Sequence, residues 1–112
     1  AVIPPLRWLM ARFLLPKPGE GPSPEQQLNG FYDLRFVGKT SSGKTIKVKV
    51  TGDRDPGYGS TAKILGQAGV CIAKDIAKSD KPGGFWTTAT MFEHQLIKRL
   101  CKDAGLTFEV IE

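Results

Sequence analysis

Histidine and cysteine are scarce in this sequence. One histidine, two cysteines and no Cys-x-x-Cys pair leave too few ligands for zinc, so no metal site is expected. Cys71 and Cys101 fall on apolar faces of predicted helices and read as buried, reduced thiols of a cytoplasmic protein rather than a disulfide. Runs of like charge are missing too. Net charge is +5, but the basic residues are dispersed, so the excess reads as solubility and nucleic acid is not an expected partner. Pro16 cuts the apolar opening too short to span a bilayer, and that opening lacks a basic leader and a small-residue cleavage site. No carboxylate pair or nucleophile–base pair can be assembled, so catalytic residues stay unassigned. His94, beside Glu93, reads as solvated.

What is present suffices for one domain. A chain of 112 residues that is 40% hydrophobic can build a core. Its organising stretch runs from Asp53 to Asp75, opening on Asp-Pro-Gly and turning into a nearly apolar helix. Lys63, Gln67, Lys74 and Lys78 share one narrow stripe at 3.6-residue periodicity, which predicts burial on most other sides. Gly66 and Gly69 cost that helix about 1 kcal/mol each, and close approach of neighbouring backbone is the expected compensation.

Around it the pattern predicts an α+β fold. Phe31 to Val37 and Thr45 to Thr51 alternate with period two: Leu34 and Phe36 against Asp33 and Arg35, then Ile46, Val48 and Val50 against Lys47 and Lys49. These are the arms of a long hairpin with one wet face, on which a lysine across the strands is one available partner for Asp33. Leu106 to Ile111 is a final strand with Leu106, Phe108 and Val110 on one face. The sheet is expected to be largely antiparallel and covered on one face by two main helices. The second helix is predicted from about Met91 to Ala104, capped by Thr90 with Glu93 and ended by Gly105. Its inward stripe is Phe92, Leu96, Ile97, Leu100, Cys101 and Ala104; Glu93, Lys98, Arg99, Lys102 and Asp103 face water.

Residues 1–15 form a short apolar N-terminal helix, residues 16–30 a Pro/Gly-rich connector with one helical turn at Glu25–Leu28, and residues 31–112 the α+β core. The first helix, from Pro5 to Leu15, exposes Leu6, Trp8, Leu9, Met10, Phe13, Leu14 and Leu15 almost all round. Its cover is this domain, a missing neighbour, a second copy or a membrane surface. Two-fold self-association through it is expected over a monomer. The opening Ala-Val-Ile-Pro-Pro reads as the start of an excised piece of a larger parent.

Two phosphate-binding patterns occur, and both are read as decoys. Gly38-Lys-Thr-Ser-Ser-Gly-Lys-Thr45 fits G-x-x-x-x-G-K-[ST], but Ile46 to Val50 alternates as a strand where the phosphate loop needs a helix. Gly57-Tyr-Gly-Ser-Thr-Ala62 fits G-x-G-x-x-[GA] but follows a hairpin strand and lacks an acidic residue ending a parallel strand. The glycines read instead as a tight helix entry. Even so, Gly57, Tyr58, Gly59, Ser60 and Thr61 at a helix N-terminus are candidates for an anionic ligand group. Trp86, Thr87 and Thr88 are the other ligand candidates.

Four blocks then follow one another in a telling order: Phe31-Tyr-Asp-Leu-Arg-Phe-Val-Gly38, Val50-Thr-Gly-Asp-Arg-Asp-Pro-Gly-Tyr-Gly-Ser-Thr-Ala-Lys-Ile-Leu65, Gly83-Gly-Phe-Trp-Thr-Thr-Ala89, and Leu96-Ile-Lys-Arg-Leu100 with Ala104-Gly-Leu-Thr-Phe-Glu-Val110. With the connector Leu15-Pro-Lys-Pro-Gly-Glu-Gly-Pro-Ser23, they resemble the C-terminal end of saccharopine dehydrogenase-like oxidoreductases, including trans-acting enoyl-reductase-like members. The resemblance covers about residues 15 to 112. It implies a parent whose N-terminal Rossmann domain binds NAD(P) and partners this domain, which shapes the substrate side and often the dimer. This fragment would then hold no cofactor and be inactive alone, with an unidentified small-molecule substrate. A non-enzymatic binding or membrane-associating module, driven by the apolar helix and basic surface, is the alternative.

Overall fold

The computed structural model describes residues 3–111. Two elements precede the sheet: α1 (Pro4–Phe13) and α2 (Pro24–Asn29). Proline at the first turn suits both, since its missing N–H is an orphan there. Ser23 caps α2 reciprocally with Gln26. The hairpin follows as β1 (Tyr32–Lys39) and β2 (Thr45–Gly52), then α3 (Gly59–Lys74), α4 (Thr88–Asp103) and β3 (Leu106–Ile111). The fold is α+β, with a three-stranded antiparallel sheet in the order β1-β2-β3.

Register puts the predicted apolar residues on one face. Leu34 opposes Val50, Phe36 opposes Val48, and Gly38 opposes Ile46. Across the other edge of β2, Val48 meets Val110, Val50 meets Phe108 and Gly52 meets Leu106. The opposite face carries charges: Lys49 bonds Glu109 at 2.8 Å. Asp33 makes its ion pair with an arginine rather than a lysine, although the Lys49 charge also helps to hold its carboxyl down. Thr51 lies across from it, and it pairs along its own strand with Arg35 at 3.2 Å.

The helices cover that face from one end only. Leu106 is buried at 4% exposure, Phe108 packs against the core, and Tyr32 is half-buried. One row on, Leu34 is 50% exposed; a row further, Phe36 is 54% and Val110 73% exposed; Ile46 near the tip stands at 47%. The buried core is correspondingly small: Cys71 from α3, Phe92, Leu96 and Leu100 from α4, then Ala104 and Leu106.

Several expectations need correction. Helix α3 is not buried on most sides: only Ser60 and Cys71 are buried, while Leu65 is 72% and Ile72 52% exposed. Nothing lies within 4 Å of a Cβ built at Gly66 or Gly69, so no neighbouring backbone compensates them. Lys78 lies beyond the helix. Cys101 is exposed, unlike Cys71, and Ile97 is 38% exposed. Arg99 does not simply face water; it donates to both Asp75 carboxylate oxygens and to Gln67 Oε1, clamping α4 to α3. Helix α4 starts earlier than expected. Its reciprocal cap is Thr87 with Thr90, and Glu93 sits in a kink at φ 48°, ψ −129°. Gly105 does end the helix, at φ +71°.

Helix α1 stands apart. None of its residues is buried, and the Cα radius of gyration is 18.9 Å against about 13 Å for a compact domain of this length. Its ten residues rise only about 15 Å, half a bilayer's hydrocarbon thickness. No helix among the described residues is long and apolar enough to cross a membrane.

Candidate functional site

The Asp-Pro-Gly turn builds the start of α3 around one carboxylate. Asp55, 8% exposed, accepts hydrogen bonds from the backbone N–H groups of Tyr58 and Gly59, each at 2.8 Å. Its carbonyl accepts from Ser60 N–H at 2.9 Å. The Gly59 bond chiefly, aided by those of Tyr58 and Gly57, holds the Asp55 carboxyl below the ordinary aspartate range despite its burial. A Cβ at Gly59 would lie 3.0 Å from both the Arg54 Cβ and an Asp55 carboxylate oxygen, so a larger residue would make these neighbours shift. Ser60 is fully buried, its hydroxyl 2.8 Å from that of Tyr32. Thr61 Oγ1 donates to the Pro56 carbonyl at 2.7 Å.

The donors that would hold an anion here are therefore engaged by the chain's own Asp55. Of the candidates, Gly57, Tyr58 and Thr61 are exposed, Gly59 is half-buried and Ser60 is buried. The glycine pattern itself lies between antiparallel strands β2 and β3, not in a parallel βαβ unit. The phosphate-loop pattern is likewise the hairpin turn: Thr40 and Lys44 exchange backbone and hydroxyl hydrogen bonds, and Gly43 takes φ +83°.

The second candidate group opens a groove. Ile72 of α3, Gly84, Phe85, Trp86, Thr87 and Thr88 of the loop and cap, and Met91 and Phe92 of α4 line about 400 Å³. Phe85 projects fully into solvent, and Trp86 is 39% exposed. Trp86 is fixed by donating from its indole N–H to the Pro82 carbonyl at 3.0 Å, with the Lys81 ammonium 5.2 Å from the ring centroid. Lys81 also donates to the Thr90 carbonyl at 2.8 Å and to Glu93 at 2.6 Å. It thereby satisfies a carbonyl beside the kink and holds Glu93, whose carboxyl it keeps below the ordinary range.

The hydroxyls of Thr87 and Thr90 are spent on the cap, so the groove offers aromatic walls, an apolar floor and the Thr88 edge. That lining suits an apolar ligand portion or a packed segment, not a phosphate. Ser60 and Ile72 are twelve residues apart on α3, about 18 Å along its axis. The two candidate groups thus form separate places.

Sequence reasoning missed the Asp55 cap, the Tyr32–Ser60 bridge and the Asp75–Arg99 pair. The first had a signal, an aspartate three and four residues before the N–H groups it caps. The others join residues 28 and 24 positions apart, with no local mark. Burial pushes the Cys71 thiol up, and neighbouring Asp75 adds to that, so Cys71 is a poor nucleophile. Among the described residues no three His, Cys, Asp or Glu side chains gather to hold a metal ion.

Comparison with known proteins adds a direction. The chain is 32% identical over 91 residues to a Mycobacterium tuberculosis protein named "Putative trans-acting enoyl reductase", covering 81% of this chain and 22% of that protein. It is 33% identical over 85 residues to a trans-acting enoyl reductase of Mycobacterium bovis, and 32% identical over 85 residues to one of Mycobacterium ulcerans; each match covers 76% of this chain and 20% of the relative. The chain thus spans about a fifth of the length of these curated relatives. No family profile and no solved structure matches it.

Proposed function

We propose that this chain is the C-terminal substrate-side and assembly domain of a saccharopine dehydrogenase-like, NAD(P)-dependent oxidoreductase related to the trans-acting enoyl reductases. The observation that carries the reading is the alignment: four-fifths of this chain matches about a fifth of those reductases. The open surface agrees with it. Leu65, Ile72 and Phe85 are each at least half exposed, as expected of a unit whose neighbour lies elsewhere in a longer protein.

In this reading the cofactor belongs to a Rossmann domain of a cytoplasmic parent. This domain supplies the groove at Trp86, Thr87 and Thr88, which would line the apolar portion of the parent's small-molecule substrate. Gly57, Tyr58, Gly59, Ser60 and Thr61 serve first to anchor α3. The assembly role is two-fold, a homodimer in which α1 takes part.

Equilibrium titration with NADPH and NADH tests the division of labour. The parent should bind one of them and reduce an enoyl substrate, while residues 1–112 alone should do neither. Tight binding to the isolated chain would overturn the reading. Replacing Trp86 by Ala in the parent should raise KM at least several-fold with little change in cofactor binding, and an unchanged KM would remove the groove from the substrate path.

A further inference from the structure

The sheet's apolar face is half bare, and the chain carries one apolar helix with nothing buried against it. The bare half is contiguous by register: Leu34, Phe36, Ile46 and Val110 adjoin through Val48 and Val50, with exposures of 47–73% among the four. Helix α1 and its C-terminal flank present Trp8 at 65%, Phe13 at 71% and Leu14 at 74% exposure, with Leu6 and Leu9 near half. A sheet face and a helix stripe of this kind form a two-layer architecture when stacked.

The placement of α1 points to a second copy as the source of that helix. Helix α2 is fastened at the covered end of the sheet, where Asp55 N–H donates to the Gln27 carbonyl and Arg54 to the Leu28 carbonyl. The bare end lies about six residues along β2, roughly 20 Å away. Between α1 and α2 the chain is stiffened by Pro16, Pro18 and Pro22. It turns at Lys17–Glu20, where the Glu20 carboxylate accepts from the Lys17 N–H at 2.8 Å and Glu20 N–H returns to the Lys17 carbonyl. Gly19, at φ +89°, and Gly21 lie among these prolines, and the long axis of the chain is 57 Å. With none of its residues buried against its own chain, α1 is free to pack on an identical chain, an exchange that costs little.

The areas suffice. Trp8, Phe13 and Phe36 together offer on the order of 400 Å² per copy. With the aliphatic neighbours, the reciprocal contact reaches roughly the 800 Å² per partner that stable interfaces bury.

We propose that α1 of one copy packs on the bare apolar face of the partner's sheet, at Leu34, Phe36, Ile46 and Val110, and the reverse, in a two-fold exchanged dimer. This deepens the assembly role proposed above and rests on it. Its readout is oligomeric state and cross-linking, so it can fail while the cofactor titration succeeds, and the reverse.

Sedimentation equilibrium of the 112-residue chain should give a dimer. Leu9→Glu with Phe13→Glu, and separately Leu34→Glu with Phe36→Glu, should each weaken it by about a hundredfold or more. To guard against unfolding, Leu9→Cys and Phe36→Cys are placed on separate chains, both carrying Cys101→Ser, and mixed under mild oxidation. The expected product is a disulfide heterodimer containing one of each. Three results overturn the proposal. The first is a wild-type monomer. The second is a monomer-mass disulfide when both cysteines are on one chain, which places α1 on its own sheet. The third is a dimer sensitive to the helix variants but not to the sheet variants.

Discussion

The bridge between Tyr32 on β1 and Ser60 at the start of α3 should be unequal when cut from its two ends. Ser60 is fully buried, whereas Tyr32 is only half-buried. The hydroxyls are 2.8 Å apart. Tyr32→Phe keeps the ring, which lies so closely on Gly52 that a Cβ there would overlap it, and strands the Ser60 hydroxyl away from water. Leaving a buried hydroxyl unpaired costs about 1–3 kcal/mol. Ser60→Ala removes the fully buried group and leaves the hydroxyl of the half-buried Tyr32, so the cost should be the smaller one of a lost hydrogen bond, about 0.5–1.5 kcal/mol. The double variant strands nothing. It should cost less than the two singles added, with a coupling of roughly 1 kcal/mol. Urea denaturation followed by tryptophan fluorescence measures all four chains, at one fixed concentration because association shifts apparent stability. Equal single costs that add within about 0.5 kcal/mol would refute the reasoning.

Other expectations concern the backbone and pH. Glu93 holds a conformation that suits glycine, so Glu93→Gly should melt above Glu93→Ala by roughly 4–8 °C; a lower melting point for the glycine variant would deny the strain. Gly105→Ala meets both φ +71° and the Asp53 carboxyl, and should destabilise by about 1 kcal/mol or more in the same urea assay. For pH, Asp55, Asp53 and Asp75 are all held below the ordinary aspartate value of 3.8, by the Gly59 N–H, Lys63 and Arg99 in the first place. A depressed folded value means stability present above that ordinary value and lost as pH falls through the folded ones. Melting temperature should therefore stay level from about pH 8 to 5 and fall below about pH 4, with a shallower fall in Asp55→Asn.

The strands were legible because alternation fixes both face and register. Leu106–Ile111 appears with the bounds expected, and the hairpin arms differ from the reading by one or two residues. Helix α4 shows why boundaries resist. Thr87 with Thr90 and Thr90 with Glu93 both fit a capping box, and the choice falls to Lys81, which reaches in from the loop to hold Glu93 at the kink. Burial of α3 was misread for another reason. Periodicity tells which residues would be buried if a partner layer were present, and at Leu65, Gly66 and Gly69 this chain supplies none. Of the candidate site, the aromatic and threonine cluster at 86–88 stood out by residue type, and it lines a groove. The groove wall Ile72 did not stand out, since helix packing alone brings α3 to that loop.

The one-ended cover of the sheet also sets how it opens. At the Tyr32–Gly52–Leu106 end the strands are pinned by the core and by the Asp55 turn. At the other end, Thr40 to Lys44 carry only their own turn. Amide protons along β2 should therefore exchange as a graded series, fastest near Thr45 and slowest near Gly52, as in a zipper that parts from its free tip. In the isolated chain the tip of the hairpin can therefore part while the core stays closed.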